Sequence, residues 1–460
     1  MNYEVVVVGG GIGGLTAAAL LAARGLNVCL FEKQSQVGGC AANVEHQGFQ
    51  FEPTFGLYAG WESGGIYDQV FSELRVNAPA IRSLSPAYSV RLPDGVEVLV
   101  SKDLNQFEQN LAEAFPECSR TAIEFYRHLR QFVTTTEPEL AHNPVSATLS
   151  NSSLRFRRFI DVQLQTLAQR SSDDCSYEQA ANALASGNFW SIEGGAQSLA
   201  DGLAKSLRAS GGTLRLNSPV LRLAYGPDGK PLGVDLLSGE RVIATRAIIS
   251  NLSVWDTYGK LIGMSRTPSA ISSQLKQMTA WGAYQIFLSM ERSAAARLSS
   301  RRILALTDWQ EAQSYDPEYN QFVLAVSADV DAKTTDGMIP ATLSTFTNVE
   351  DWFSFHEDHS AHEEQDQSVL ETVWSQLHAA MPELGDSVEV IETATPQTFY
   401  EDTRRKFGMI GQPNPNIPNL GTMPFPNVFL VSDTVAPRSG LAQVAKVALN
   451  AVTSICPTSE

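Results

Sequence analysis

The 460-residue sequence lacks long apolar runs, an excess of basic residues and paired cysteines. No run of about 18 apolar residues occurs, so no membrane-spanning helix is predicted. Asp and Glu number 50 against 33 Lys and Arg, a net charge of −17. This excess of acid argues against nucleic-acid binding, which needs a basic stripe, and removes long-range attraction to anionic lipid.

The five cysteines are scattered without a C-x-x-C pair, which is typical of a reducing compartment. The first apolar run, Val5–Val8, is too short for a signal peptide and lacks its basic flank. We therefore expect a cytoplasmic protein, with association at the inner face of the membrane left open.

Patterns of side-chain catalysis are also missing. No Ser-His-Asp order, phosphate-binding P-loop or paired-carboxylate spacing stands out, as expected where a bound cofactor is the reagent. His356, His359 and His362 are three residues apart. That spacing rotates around a helix and differs from H-E-x-x-H, so we expect no metal site.

The segment Val5–Glu32 carries the strongest positive signal. An apolar strand, a G-x-G-x-x-G turn formed by Gly9, Gly11 and Gly14, an alanine-rich helix and a second strand follow one another. Such a turn lets a pyrophosphate approach the backbone and the helix N-terminus, and an acid after the second strand holds a ribose. The segment predicts a dinucleotide site. Its predicted binding residues are Gly9, Gly11, Ile12, Gly13, Gly14, Glu32 and Lys33.

A second glycine pair, Gly38 and Gly39, indicates which dinucleotide is bound. An NAD enzyme would continue here into another helix, whereas an elongated flavin needs backbone without side chains beside it. From the glycine motif, the acid and this pair, the chain resembles the flavin-binding amine oxidase and phytoene desaturase superfamily. The resemblance implies FAD, and the segment from Gly48 to Glu52 stands where that superfamily has G-x-x-F-D.

The resemblance returns twice along the chain. The first return has Gly194-Gly195, a predicted helix to about Arg208 and three predicted strands. There the resemblance implies that the Val220 backbone lies against the adenine and that Asn251 ends the strand that re-enters the nucleotide domain.

The second return is the strand Val428–Val431, Asp433 and a helix starting near Gly440. The resemblance implies that Asp433 binds flavin oxygens and that Gly440 and Leu441 face the ring. The superfamily's Gly-Asp and P-G-x-G are replaced by Ser-Asp and A-P-R-S-G, which makes Arg438 the candidate for a charge beside the flavin.

The implied fold class is α/β, with a Rossmann-type FAD-binding domain interleaved with a mixed α+β substrate domain. The length fits two intertwined domains. We expect the FAD-binding domain in residues 1–75, 186–265 and 396–460, and the substrate-binding or cap domain in residues 76–185 and 266–395. Apolar spacing predicts helices over Leu104–Phe115, Arg120–Phe132 and Gln367–Met381.

The implied function is that of an FAD-dependent oxidoreductase acting on C–C or C=C bonds of a hydrophobic polyene, with oxygen or a quinone as electron acceptor. Thr395–Phe399 resembles the T-P-x-T-F of carotenoid desaturases and isomerases, and the sequence favours the carotenoid isomerase and retinol saturase branch. Desaturation, isomerisation and saturation all remain open. An amine oxidase-like enzyme would need an aromatic cage that the C-terminal loop does not offer. A flavoprotein with a purely structural cofactor is the third hypothesis.

Two local features have alternative interpretations. Residues 153–168 combine an apolar helical face with Arg155, Arg157 and Arg158, as in a helix that contacts a bilayer interface or a cap helix over the substrate. Cys40 follows the flavin glycines, where a small packed residue is favoured over a redox group.

Overall fold

The computed structural model describes residues 1–135, 138–311, 314–327, 337–353, 358–411, 413–414, 421–436 and 440–457. Two seven-stranded sheets organise this part of the chain. In chain order the strands are β1 (Asn2–Val8), β2 (Val28–Phe31), β3 (Val44–His46), β4 (Phe49–Phe51), β5 (Ile81–Ser83), β6 (Tyr88–Arg91), β7 (Glu97–Val100), β8 (Trp190–Ile192), β9 (Thr213–Arg215), β10 (Val220–Tyr225), β11 (Pro231–Leu236), β12 (Arg241–Ser250), β13 (Gly282–Glu291), β14 (Arg302–Leu306), β15 (Gln321–Val326), β16 (Met338–Thr347), β17 (Val388–Ala394) and β18 (Val428–Leu430).

Helices pack on both sheets. In chain order the α-helices are α1 (Ile12–Ala23), α2 (Ile66–Glu73), α3 (Leu104–Ala114), α4 (Ser119–Thr135), α5 (Pro138–Ala141), α6 (Leu154–Ala168), α7 (Tyr177–Leu184), α8 (Gly195–Ala209), α9 (Val254–Asp256), α10 (Ser269–Gln277), α11 (Arg292–Ala295), α12 (Val349–Phe353), α13 (His359–Ala380), α14 (Pro396–Thr403) and α15 (Leu441–Ile455).

The first sheet has a parallel centre in the order β12-β1-β2-β9, with β18 parallel to the carboxyl-terminal half of β12. The strands β10 and β11 extend it as an antiparallel meander. Helix α1 connects β1 to β2 and packs against α8 and α15. Its small alanines allow this close packing, and nearly the whole helix is buried. The predicted Rossmann-type unit is confirmed.

The second sheet has the order β17-β13-β16-β15-β14-β6-β7 and is antiparallel apart from the β14–β6 pair. Alternate residues of β14 point to opposite faces: Leu304 joins a core with α3, α4, α6 and α7, and Ile303 joins one with α13. This mixed α+β part confirms the predicted fold class. All strands of each seven-stranded sheet fall in the segments predicted for one domain, whereas the β5–β8 pair joins the two; the boundaries themselves stay a prediction.

The predicted helices occur as α3, α4 and α13, although α13 begins eight residues before the predicted start at Gln367. An Asp358 carboxylate accepts a hydrogen bond from the Ala361 amide and caps that earlier start. The C-terminal strand and helix occur as β18 and α15. Thr395 begins α14 with a capping box and a proline in the first turn.

Of the two interpretations of residues 153–168, the structure favours a helix packed within the protein over one that contacts a bilayer. In α6 the apolar face of Phe156, Phe159, Ile160 and Leu164 is 0 % exposed and belongs to a core shared with β14. Two of the arginines at its start form ion pairs, Arg155 with Asp94 and Glu117 and Arg158 with Asp161. The helix therefore packs inside the protein.

Among the helices in the described ranges, none is long and apolar enough to cross a bilayer. The cellular location stays a prediction.

Candidate functional site

Four of the predicted site residues lie at or just beyond the carboxyl ends of parallel strands of the first sheet. Gly9 follows β1, Glu32 follows β2, Asn251 follows β12, and Asp433 lies three residues beyond β18. Because the carboxyl ends of parallel strands meet at one edge, these residues come together outside the sheet, which is where such folds bind ligands.

The glycine turn leaves room for backbone only. Gly9 has a φ of 100°. A Cβ on Gly11 would lie 2.6 Å from Asn251 Oδ1, and one on Gly13 would lie 2.7 Å from Val444 Cγ1. Asn251 is itself fixed by donating from Nδ2 to the Val431 carbonyl at 2.6 Å. The N-terminus of α1 is thereby held open to an anion, with its unpaired N–H groups and positive dipole end at the cavity.

The carboxylate of Glu32 is 8 % exposed and held at both oxygens. Oε2 accepts from the Gly10 amide at 2.6 Å, and Oε1 accepts from the Gln34 amide at 2.8 Å. Each oxygen keeps a second lone pair for a ribose hydroxyl. The neighbouring Lys33 donates from Nζ to the Asp402 carbonyl at 2.5 Å, and partial burial lowers its pKa.

The second glycine pair lies against the first. Gly38 and Gly39 have φ values of 119° and 61°, and a Cβ on Gly39 would lie 3.3 Å from Gly11 Cα. Only glycine adopts these angles at low cost while allowing that approach. Cys40, the next residue, is exposed at the cavity wall. Although the residue is open to the cavity, the protein that surrounds its thiol desolvates it and raises its pKa despite the nearby Arg405, a shift that favours the neutral thiol.

These residues surround one cavity of about 1370 Å³. Three predicted residues are not among those that line it. Gly14 lies beneath the turn against the Gly9 carbonyl, and Gly440 immediately precedes α15. Arg438 lies outside the described residues. The predicted residues that line the cavity are Gly9, Gly11, Ile12, Gly13, Glu32, Lys33, Gly38, Gly39, Val220, Asn251, Asp433 and Leu441.

The same cavity reaches the second sheet. Phe287 of β13 and Phe399 of α14 line it, and His46 stacks on Phe287 with ring centroids 5.2 Å apart. Gln285 also lines it and donates from Nε2 to the Pro53 carbonyl and to Ser344 Oγ. Gln285 could not be predicted from the sequence, because it lies within a mostly apolar strand.

Glu52 is the last residue of the Gly48–Glu52 segment, and it lies against the Gly194-Gly195 pair at the start of α8. Its Oε1 accepts from the Ala196 amide at 3.2 Å and from Thr54 Oγ1 at 2.8 Å. A Cβ on Gly195 would lie 2.9 Å from this carboxyl group. Glu52 therefore caps the N-terminus of α8 while lining the cavity.

Arg405 also lines the cavity, although the sequence did not predict it as a site residue. Its side chain is 12 % exposed, and Nη1 donates to both Asp433 oxygens at 3.0 Å. Burial alone would lower the pKa of Arg405, but the Asp433 carboxylate outweighs that effect and raises it. The R-R-K cluster at residues 404–406 was the available signal, but the sequence does not say which of the three turns inward.

Of the three histidines weighed as metal ligands, His359 and His362 lie on α13, and His356 lies outside the described residues. Within the described ranges no group of three or more His, Cys, Asp or Glu side chains is placed to hold a metal ion.

The fold and cavity define an α/β flavoprotein with a Rossmann-type unit. Residues 12–439 match the family described as flavin containing amine oxidoreductase, and the chain belongs to that family. Its cofactor is FAD, and the chain is an FAD-dependent oxidoreductase. The glycine contacts that exclude side chains, the α1 N-terminus and the Glu32 carboxylate fit this dinucleotide.

Individual relatives confirm the resemblance to phytoene desaturase-related flavoproteins. The chain is 24 % identical to a chloroplastic prolycopene isomerase of Daucus carota, over 96 % of this chain and 78 % of that one. It is 24 % identical to an all-trans-retinol 13,14-reductase of Danio rerio over 60 % of this chain and 52 % of that one. A carotenoid 3,4-desaturase of Haloarcula japonica is 32 % identical over 30 % of this chain and 29 % of its own.

Among solved structures, an oxidoreductase from Methanosarcina mazei superposes with a TM-score of 0.71 at 19 % identity. The match covers 98 % of this chain and 99 % of the other. At this identity it supports the fold alone.

Replacing Glu32 by glutamine is expected to weaken FAD binding about tenfold, because an amide offers one acceptor oxygen where the carboxylate offers two. Fluorescence titration of the cofactor-free protein measures the affinity. Glu4→Gln is the matched control, since Glu4 accepts from the Asn27 amide at an exposed site. Equal affinities of the two variants would contradict the assignment of Glu32.

Proposed function

We propose that this enzyme acts on carbon–carbon bonds of a hydrophobic polyene of the carotenoid or retinoid type. The observation that carries the proposal is the large cavity that runs from the dinucleotide-binding edge to Phe287 and Phe399. Its volume of about 1370 Å³ exceeds the roughly 300–1,000 Å³ of ordinary ligand pockets. FAD itself would fill part of this volume, and the part lined by Phe287 and Phe399 is the space proposed for an extended substrate.

The relatives support this substrate class. By their names they isomerise prolycopene, reduce all-trans-retinol at the 13,14 position and desaturate a carotenoid. Isomerisation has the broadest support, because that relative aligns with 96 % of this chain. We therefore place isomerisation first among the three reactions.

In the proposed reaction, bound FAD supplies hydride transfer to or from its N5 position. The residues of the chain bind and orient the cofactor and the substrate. The glycine turn, the N-terminus of α1 and Glu32 would hold the cofactor, with the Val220 backbone at the adenine. Phe287 and Phe399 would hold the polyene and exclude water from it. An isomerisation leaves no net electrons to remove, while a desaturation would pass them to oxygen or a quinone.

The remaining site assignments belong to the same proposal. Asn251 fixes the glycine turn from below. Gly440 and Leu441 place the N-terminus of α15 next to that of α1, where Val444 contacts Gly13. Asp433 would bind oxygens of the flavin's ribityl chain or phosphate. Arg438 remains the proposed charge beside the ring.

A pigment profile tests the proposal. The chain is expressed in cells that accumulate phytoene, or separately a poly-cis carotene, and the carotenoids are compared by chromatography. We expect conversion of the poly-cis carotene to isomers with more trans bonds. The matched control is Gly11→Val, whose side chain would meet Asn251 Oδ1 and should block FAD binding and turnover.

The outcomes separate the hypotheses. Added or removed double bonds would replace isomerisation by desaturation or saturation within the same substrate class. Unchanged pigments with flavin bound would contradict the polyene proposal. The purified protein would then be assayed with amines, and flavin that never reoxidises would indicate a structural cofactor.

A further inference from the structure

The cofactor cavity carries several negative groups of its own. Glu32, Asp256 and Asp433 all line it. The diphosphate of FAD adds further negative charge at the same edge of the sheet. A helix N-terminus supplies only about half a positive charge, so a cation close to where the diphosphate binds would stabilise it further.

Arg405 is placed to be that cation. It reaches Asp433 at 3.0 Å and approaches Cys40 Sγ, next to the Gly38-Gly39 pair, at 3.9 Å. Its Nε donates to the Met409 carbonyl at 2.8 Å, which fixes the plane of the guanidinium. The remaining nitrogen, Nη2, is buried and has no hydrogen-bond partner. A buried donor without a partner is costly in a protein, and a ligand oxygen would satisfy it.

The neighbouring basic side chains at residues 33, 260, 404 and 406 interact with other groups. Lys33 Nζ donates to the Asp402 carbonyl, and Lys260 Nζ lies 2.7 Å from Asp256 Oδ1. Lys406 lies over the rings of Trp255 and Phe407. Arg404 is exposed and lies over Tyr400. Of these side chains, Arg405 is the one joined to Asp433.

We propose that Arg405 is the counter-charge of the FAD diphosphate, and that it makes the site selective for phosphorylated flavins over riboflavin. The inference rests on the proposed position of FAD at Gly9–Gly14 and Asp433. Nη1 keeps Asp433 neutralised, so that this carboxylate does not repel the diphosphate. Nη2 donates to a phosphate oxygen in a charge-assisted hydrogen bond, for which a guanidinium is well suited.

The test compares FAD with riboflavin, which has the same ring and ribityl chain but no phosphate. Cofactor-free wild type, Arg405→Gln, Arg405→Lys and the control Lys406→Gln are titrated with each flavin by fluorescence quenching. Loss of a charge-assisted bond should weaken FAD binding by Arg405→Gln about 30-fold. Riboflavin binding should change less than about threefold, Arg405→Lys should fall in between, and Lys406→Gln should resemble wild type.

Two results would overturn the proposal. One is equal weakening of FAD and riboflavin, which would mean that Arg405 supports the fold or the ring. The other is full recovery of FAD affinity in Arg405→Gln/Asp433→Asn, because Arg405 would then only mask Asp433. Continued weakness of that double variant for FAD alone supports the phosphate contact.

Two controls complete the design. Circular dichroism checks that each variant is folded. If Arg405→Gln is not folded, the comparison of FAD with riboflavin is made with Arg405→Lys. If wild type itself bound FAD no better than riboflavin, the position assigned to FAD would fail, a result distinct from failure of Arg405 alone.

Discussion

Replacing Gly14 by alanine is expected to give colourless protein. The added Cβ would lie 2.2 Å from the Gly9 carbonyl oxygen and 3.0 Å from Asn251 Cβ. The first of these contacts is with backbone, so no change of rotamer relieves it. Helix α1 would have to move away from β1, and the turn between them would open.

The expected loss has two parts. Overpacking a core of this kind costs about 1–3 kcal/mol of stability, and more where backbone must shift. Displacement of α1 also moves the N–H groups that are proposed to hold the diphosphate, so FAD should be absent from the purified protein even where the chain folds. Visible absorbance per mole of protein measures bound flavin, and circular dichroism measures folding.

Gly202→Ala is the matched control. Gly202 lies inside α8, and a Cβ there would meet no atom within 4 Å. Alanine in a helix interior is more favourable than glycine by roughly 0.5–1 kcal/mol. This variant should stay yellow and unfold at a slightly higher temperature. Full flavin content in Gly14→Ala would contradict the assigned role of the turn.

The nucleotide-binding part could be predicted from sequence because its signals are local. The segment Val5–Glu32 defines one βαβ unit by its strand, glycine turn, helix and acid. Because the strands of such a unit are parallel, the ligand is expected at their carboxyl ends. Asn251 and Asp433 fall at the same edge for the same reason. Arg405 has no such strand before it, since it follows α14 in a turn where Arg404 has a φ of 59° and Phe407 one of 51°.

The surroundings of α6 could not be predicted, because an amphipathic pattern shows which face is apolar and not what covers the other. Here the polar face is covered too. Gln163 is fully buried and accepts hydrogen bonds from Tyr88 and Tyr126 at 2.9 and 3.1 Å. Gln163, which the pattern would place at a water or lipid boundary, is instead satisfied by side chains from β6 and α4.

Replacing Asp161 by alanine should destabilise the protein by about 3–5 kcal/mol. The Asp161 carboxylate is 1 % exposed, pairs with Arg158 at 2.9 Å and accepts from the Ser172 amide at 2.9 Å. Burial raises the pKa of Asp161, while Ser172 and Arg158 offset part of that rise. Removing the carboxylate leaves a guanidinium that is 4 % exposed without its carboxylate partner, and breaking a buried pair in this way is costly.

Urea unfolding followed by tryptophan fluorescence measures the loss. Glu124→Ala is the matched control, because it removes the exposed Arg120–Glu124 pair of α4 and should leave the unfolding midpoint unchanged. Liposome co-sedimentation of both variants should equal that of wild type. An unchanged midpoint for Asp161→Ala together with altered lipid binding would mean that α6 faces a membrane and that its burial against β14 is wrong. A lowered midpoint with unchanged lipid binding places the Arg158–Asp161 pair of this helix in the core, where it helps to hold α6 against the second sheet.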